Sequence, residues 1–107
     1  MIKKNYEFRA VLKKRKNCKG NLINIFIKKN NENINKLGIA VSKKAGNSVK
    51  RNKIKRLIRE NCRLVEENLK IGNNIIILWK KQADFEKFNF YDIKKELENL
   101  FKKLNLL

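Results

Sequence analysis

The residues best able to do chemistry in this sequence lie in one basic run, residues 43–59, which reads KKAGNSVKRNKIKRLIR. The run holds eight Lys or Arg and no Asp or Glu. An arginine guanidinium group can donate two parallel hydrogen bonds to phosphate oxygens, and a lysine ammonium group supplies a compact point charge. A dense, acid-free set of such groups is suited to holding a polyanion. Nucleic acid is therefore the first hypothesis for the partner of this chain.

The excess of positive charge extends over the whole chain. Its 107 residues contain 28 Lys or Arg against 10 Asp or Glu, a formal charge of +18. Such a charge destabilises a compact monomer by self-repulsion, so it calls for an anionic partner. A biased genome is an alternative source of the many Lys, Asn and Ile residues, but it does not explain why acids are missing from 43–59 in particular.

A membrane is not favoured as the anionic partner. The longest apolar run, residues 75–79, has the length of a strand and falls short of the roughly 20 residues that span a bilayer. The N-terminus lacks the basic, apolar and small-residue segments of an export signal. We therefore expect a cytoplasmic protein.

No catalytic residue is predicted within the chain. It has no His, which is the usual general base and the commonest metal ligand. Cys18 and Cys62 lack the paired spacing of a zinc or redox site and are predicted to be reduced thiols. Gly38 and Gly46 stand too far apart to form a glycine-rich phosphate loop. Whether the protein carries a metal site of its own stays open.

The hydrophobic pattern predicts the elements that must position the basic run. They form a single domain over 1–107 of the α+β class, with a small mixed sheet packed by helices in the order α-β-β-α-β-α. The first two strands are predicted to pair as an antiparallel hairpin, and the long helix to connect two parallel strands. In chain order the elements are a helix over 5–14, a basic loop over 13–20, strands over 21–29 and 37–42, a helix over 50–69, a strand over 73–79, a turn over 84–88, and a terminal helix marked by Ile93, Leu97, Leu100, Phe101 and Leu104.

Alternation and helical spacing predict which faces are buried. Small residues at 38, 40 and 42 are expected on the outer face of their strand, leaving room for a ligand or for a closely packed helix. In the long helix, one arc is apolar and the neighbouring arc, which includes Asn52, is basic. The predicted core positions are Ile23, Ile25, Ile27, Leu37, Ile39, Val41, Ile54, Ile58, Val65 and Leu69.

The sequence GNSVKRNKIKRLIR at 46–59 closely resembles the signature helix of the bacterial ribonuclease P protein subunit. The preceding IAVSKK at 39–44 is similar to the strand that leads into this signature in that family. The resemblance implies the family's unusual left-handed βαβ crossover. It also implies a protein that assists a catalytic RNA in removing the 5′ leader of precursor tRNA, as a subunit of an endoribonuclease. Magnesium is expected at the RNA active site, and no cofactor is expected to be bound tightly by the protein.

The resemblance also assigns roles to individual residues. Lys44, Arg51, Asn52, Lys55 and Arg56 match side chains that bind the catalytic RNA. Aromatic rings in the leader cleft would stack on unpaired bases in a sequence-tolerant way. At the position of Leu12 the family frequently has an aromatic residue, and at the position of Gln82 many relatives have proline. The leader-binding cleft is expected to use Phe8, Leu12, Phe26 and Arg59.

Two other classes of function compete with this interpretation. A small ribosomal protein would have a similar composition, and a single processing RNA rather than ribosomal RNA in the purified complex would argue against it. A protein-only nuclease would cleave after removal of all RNA, but the chain lacks the His and acid clusters of such an enzyme.

Overall fold

The computed structural model describes residues 16–80 and 89–107, in which the chain forms four strands and two helices. The predicted helix over 5–14 and the predicted turn over 84–88 lie outside these residues. Short 3-10 turns at Lys43–Ala45 and Glu66–Asn68 flank the first helix. The strands and helices are β1 (Lys16–Lys19), β2 (Ile23–Lys29), β3 (Lys36–Val41), α1 (Ser48–Val65), β4 (Asn73–Trp79) and α2 (Phe90–Lys103).

The four strands form one mixed sheet in the order β1-β2-β4-β3. β4 runs antiparallel to β2 and parallel to β3. The predicted parallel connection through α1 is therefore confirmed, whereas the predicted hairpin between β2 and β3 is wrong. β4 lies between them because Ile75, Ile76 and Ile77 are buried on both of its faces, which requires a central position in the sheet. The left-handed connection stays an implication of the family.

Residues 13–20 were predicted to form a loop, and this prediction is wrong for residues 16–19. They form β1, which pairs antiparallel with β2 at the edge of the sheet. Their polar composition suits an edge strand, because exposed charges and amides there discourage pairing with another chain. The pattern of a solvated edge strand is thus close to that of a loop.

One face of the sheet carries the core. The side chains of Ile23, Ile25 and Ile77 are fully buried there against the apolar stripes of α1 and α2. Each buried aliphatic side chain contributes about 1.5–3 kcal/mol relative to full exposure. The predicted core positions of α1 are confirmed, as is Leu69 beyond its end, and those of β3 are half-buried against the same cluster. The helical residues in the core are Ile54, Ile58, Cys62, Val65, Ile93, Leu97, Leu100 and Phe101.

Two polar clamps fix α2 in place. The Glu96 carboxylate accepts backbone N–H hydrogen bonds from Asn21, Leu22 and Ile23 at 2.6–2.9 Å. Gly20 leaves room for it, since a Cβ there would lie 2.7 Å from the Glu96 carboxyl carbon. The buried Asn61 amide of α1 donates to the Leu57 carbonyl at 3.0 Å and to the Phe90 carbonyl, at the start of α2, at 3.3 Å.

Removing the charge of Glu96 should loosen the contact between α2 and the β1–β2 turn. Because hydrogen bonds to a charged group contribute about 1.5–3 kcal/mol, we expect Glu96→Gln to lower the free energy of unfolding by about 2 kcal/mol. Urea denaturation measures this. Glu98→Gln, on the same helix, is the matched control and should unfold at the wild-type urea concentration. Equal midpoints for the two variants would contradict the clamp.

Cys62, a residue of α1, has its thiol in the core. Burial, with a smaller contribution from the negative charge of Glu66, raises the pKa of Cys62 from 9.0 to about 12. Both cysteines are free, as predicted, and Cys18 is half-buried. Because the folded pKa is the higher one, the folded state holds this proton more tightly. The associated stability is fully present below about pH 9 and is lost as the pH rises towards 12.

The raised pKa also predicts low reactivity of Cys62. The thiolate is the reacting form, and at pH 8 a thiol of pKa about 12 is ionised in roughly one molecule in ten thousand. Iodoacetamide should therefore modify Cys18 well before Cys62 in the native protein, as followed by peptide mass spectrometry. In guanidinium chloride the two rates should converge. Fast native modification of Cys62 would show that the thiol is accessible.

Candidate nucleic-acid interface

The basic run begins in a turn that is fixed to the start of α1. The Ser42 hydroxyl accepts a hydrogen bond from the Lys44 N–H at 3.2 Å, which holds the 3-10 turn. Gly46 follows at φ 145°, a conformation that side chains rarely adopt. The Asn47 side chain then caps α1 by accepting from the Lys50 N–H at 2.9 Å. Lys44 is exposed in this turn, directly before the positive end of the helix dipole.

The four residues of α1 predicted to bind the catalytic RNA follow one side of its buried stripe. Arg51 and Lys55 are half-buried, while Asn52 and Arg56 are exposed. The structure brings all of these except Arg51 together around a shallow depression of about 460 Å³, which Arg59, predicted for the leader cleft, also lines. Sequence reasoning missed two further lining residues, Val49 and Lys53, although both lie within the signature. The lining residues are Val49, Asn52, Lys53, Lys55, Arg56 and Arg59.

The cations of this surface have no acidic partner among residues 16–80 and 89–107. Within these ranges the ion pair is Lys36 Nζ to Glu32 Oε2 at 3.3 Å, which involves no residue of α1. The Nε atom of Arg51 is buried and has no hydrogen-bond partner. Leaving such a donor unsatisfied costs about 1–3 kcal/mol or more. An external oxygen ligand would remove that cost.

A second depression, of about 480 Å³, lies across the ends of β2, β3 and β4. Ala40 and Ser42, two of the small residues predicted to face outward, line it together with Asn24, Leu78 and Lys80. The Oδ1 atom of Asn24 is buried without a hydrogen-bond partner. Asn24 and Lys80 were not among the predicted site residues. Asn24 shares the outward phase of its strand with Phe26, a signal that could have identified it.

The two described residues predicted for the leader cleft, Phe26 and Arg59, do not lie together. Phe26 is on the face opposite Ile23 and Ile25, as predicted from alternation, where it packs with Ile76 and Leu78 and is 8% exposed. Arg59 lies on α1, with the other cations of the signature. Because α1 covers the core face of the sheet, Arg59 and Phe26 are on opposite sides. Phe8 and Leu12 lie outside the described residues.

The described residues contain neither a helix that could span a membrane nor a group of metal ligands. No helix within 16–80 or 89–107 combines the length and apolar character needed to cross a bilayer. In the same ranges, no group of three or more Cys, Asp or Glu side chains is placed to hold a metal ion.

A small α+β domain whose mixed sheet carries a helix with an acid-free, cationic first part, residues 48–59, belongs to a class of basic proteins suited to binding polyanions. The family model described as Ribonuclease P matches residues 1–105 of this chain. The chain therefore belongs to the ribonuclease P protein family, as its signature indicated. Membership makes it a protein component of the ribonucleoprotein that processes the 5′ ends of tRNA, with ribonuclease P RNA as its partner.

Individual relatives agree over nearly the full length. The ribonuclease P protein component of Clostridium kluyveri is 41% identical over 105 residues, covering 98% of this chain and 94% of that protein. That of Clostridium botulinum strain Langeland is 42% identical over 106 residues, with the same two coverages of 98% and 94%.

Solved structures of the family share the fold. A Staphylococcus aureus RNase P protein mutant with defective mRNA degradation activity superposes with a TM-score of 0.88 at 34% identity, covering 99% of this chain and 88% of that one. The Thermotoga maritima RNase P protein in complex with 1-(4-fluorophenyl)-2-thiourea gives 0.85 at 30% identity, with coverages of 90% and 92%.

Proposed function

We propose that this chain binds the catalytic RNA through the exposed side of α1 and holds the 5′ leader of precursor tRNA on the opposite face of the sheet. The observation that carries the proposal is the set of fixed cations without acidic partners among the described residues, above all the buried, unsatisfied Nε of Arg51. A phosphate oxygen supplies the missing acceptor, and its charge is complementary to the surface.

The five signature residues divide the work of binding the catalytic RNA. Arg51 and Arg56 present guanidinium groups that can contact two phosphate oxygens at once. Lys44 and Lys55 add point charges at the start and along the side of α1. Asn52 is uncharged and exposed, so it contributes directional hydrogen bonds to a 2′-hydroxyl or a base edge.

The depression on the outer face of the sheet is suited to an unpaired leader. Its small residues, Ala40 and Ser42, allow a strand of RNA to approach the sheet closely. Lys80 supplies a charge for the leader's phosphates, and the unpartnered Oδ1 of Asn24 accepts a hydrogen bond from a base or a 2′-hydroxyl. Phe26 packs against Leu78, which lines this depression, on the same face of the sheet. Phe8 and Leu12 stay part of the proposed cleft on the resemblance alone.

The hydrolysis itself is assigned to the RNA. Magnesium would belong to the RNA active site, since the acidic and thiol side chains of the described residues do not form a set that fits a metal ion. The chain contributes position and charge: it holds the leader and lowers the repulsion between closely packed phosphates. The protein adds affinity without supplying a catalytic residue.

Loss of two signature cations should weaken assembly with the RNA and reduce its salt dependence. If Arg51→Ala/Lys55→Ala removes two phosphate contacts to single-stranded RNA, the log–log slope of affinity against salt should become shallower by about 1.4. Filter binding to ribonuclease P RNA at several salt concentrations measures the slope. Lys94→Gln/Lys95→Gln on α2 removes the same charge elsewhere and should leave the slope unchanged. A common slope for the two variants would argue against direct contact by α1.

The leader contact is best tested at Lys80, because truncating buried Phe26 would also cost about 3–5 kcal/mol of stability. We expect Lys80→Gln to reduce the affinity of the holoenzyme for precursor tRNA by about tenfold or more, because a hydrogen bond to a charged group contributes about 1.5–3 kcal/mol. Affinity for tRNA without a leader should not change. Lys94→Gln serves as the control. An equal loss for both RNAs would place Lys80 outside the leader site.

A further inference from the structure

A cavity of about 740 Å³ lies at the other end of the sheet from the start of α1. Its lining includes Lys29, where β2 ends, and Asn73, where β4 begins. The basic turn at Lys43–Ala45 follows the opposite end of β3, which runs parallel to β4. At about 3.3 Å per residue, the strands separate the two sites by roughly 20 Å. The cavity is therefore distinct from both surfaces described above.

The cavity combines an apolar floor with a cationic rim. Ile27, Leu104 and Leu106 are buried beneath it. The rim carries four lysines, and none of their ammonium groups has an ion-pair partner among residues 16–80 and 89–107. Ile71 stands beside them with 62% of its surface exposed. The four rim lysines are Lys16, Lys28, Lys29 and Lys70.

This chemistry selects an anion that also has an apolar surface. Four neighbouring ammonium groups repel one another, and bound phosphates would offset that repulsion. The buried aliphatic floor and the exposed Ile71 favour contact with a base rather than with a fully hydrated ion. The volume falls within the roughly 300–1,000 Å³ of small-ligand sites, so it admits one or two unpaired nucleotides and excludes a duplex.

We infer that this cavity is a second RNA-binding site, which takes an unpaired nucleotide segment by its phosphates and bases. The inference rests on the proposed function only in that RNA is the partner. The exposed amide of Asn105, at the edge of the cavity, supplies a hydrogen bond to a base edge. Together with the basic turn at Lys43–Ala45 that precedes α1, the site lets one small protein hold two points of RNA roughly 20 Å apart.

Nuclear magnetic resonance of the intact, ¹⁵N-labelled chain tests the site directly. Titration with a ten-nucleotide oligouridylate should shift the amide signals of Lys70, Ile71 and Asn105, and the dissociation constant obtained from them should rise with salt. In Lys29→Gln/Lys70→Gln, the log–log salt slope at this site should become shallower by about 1.4. The matched variant Lys94→Gln/Lys95→Gln should bind as the wild type does.

Two further arms identify the ligand. Ile71→Ser, at an exposed position, should weaken oligouridylate binding at the cavity without affecting the amide signals of Lys55 and Arg56. Equal shifts with inorganic phosphate alone, together with no effect of Ile71→Ser, would reduce the site to simple anion binding and overturn the inference. If the amide signals at the cavity do not shift while those of α1 do, the inference is overturned and the proposed function stays intact. If the signals of neither surface shift, both the inference and the proposed function are refuted.

Discussion

The structure depends on the burial of one stripe of α1 against the sheet while its neighbouring stripe stays cationic and free of acidic partners within the described residues. Ile54 and Ile58 are completely buried, and their packing fixes the rotation of the helix. That rotation determines where Arg51, Lys55 and Arg56 lie, although like charges alone would drive them apart. The hydrophobic contact therefore stabilises a surface that electrostatics disfavours until an anion binds.

The elements of the fold were predictable where the pattern was strong, and their pairing was not. Alternation and helical spacing identified β4, with its bounds, and both described helices. The hairpin between β2 and β3 was wrong because it relied on adjacency in sequence, whereas the apolar residues on both faces of Ile75–Ile77 place β4 at the centre of the sheet. Nor could the hydrophobic pattern show that the Glu96 carboxylate would accept hydrogen bonds from three backbone N–H groups some 75 residues away in sequence. Such a clamp leaves no periodic signal in the sequence.

The candidate site was predictable to the extent that it follows one helix. Asn52, Lys55 and Arg56 share a face of α1, so their spacing and the signature were sufficient to group them. Sites that combine several strands were harder to predict: Asn24 and Lys80 line one depression only because β2 and β4 are neighbours. The cavity at the other end of the sheet depends in the same way on residues distant in sequence, from β1, β2, the segment before β4 and the end of α2.

The most direct test of this account is removal of the 5′ leader from precursor tRNA by ribonuclease P RNA, at a magnesium concentration too low for the RNA to act alone. If the chain places cations against the RNA and holds the leader, adding the intact protein should restore cleavage at the mature 5′ end under that condition. Its benefit should shrink as magnesium is raised, because the metal then screens the same phosphates. An unchanged cleavage rate with the protein bound, or leader removal by the protein after all RNA is destroyed, would contradict the account.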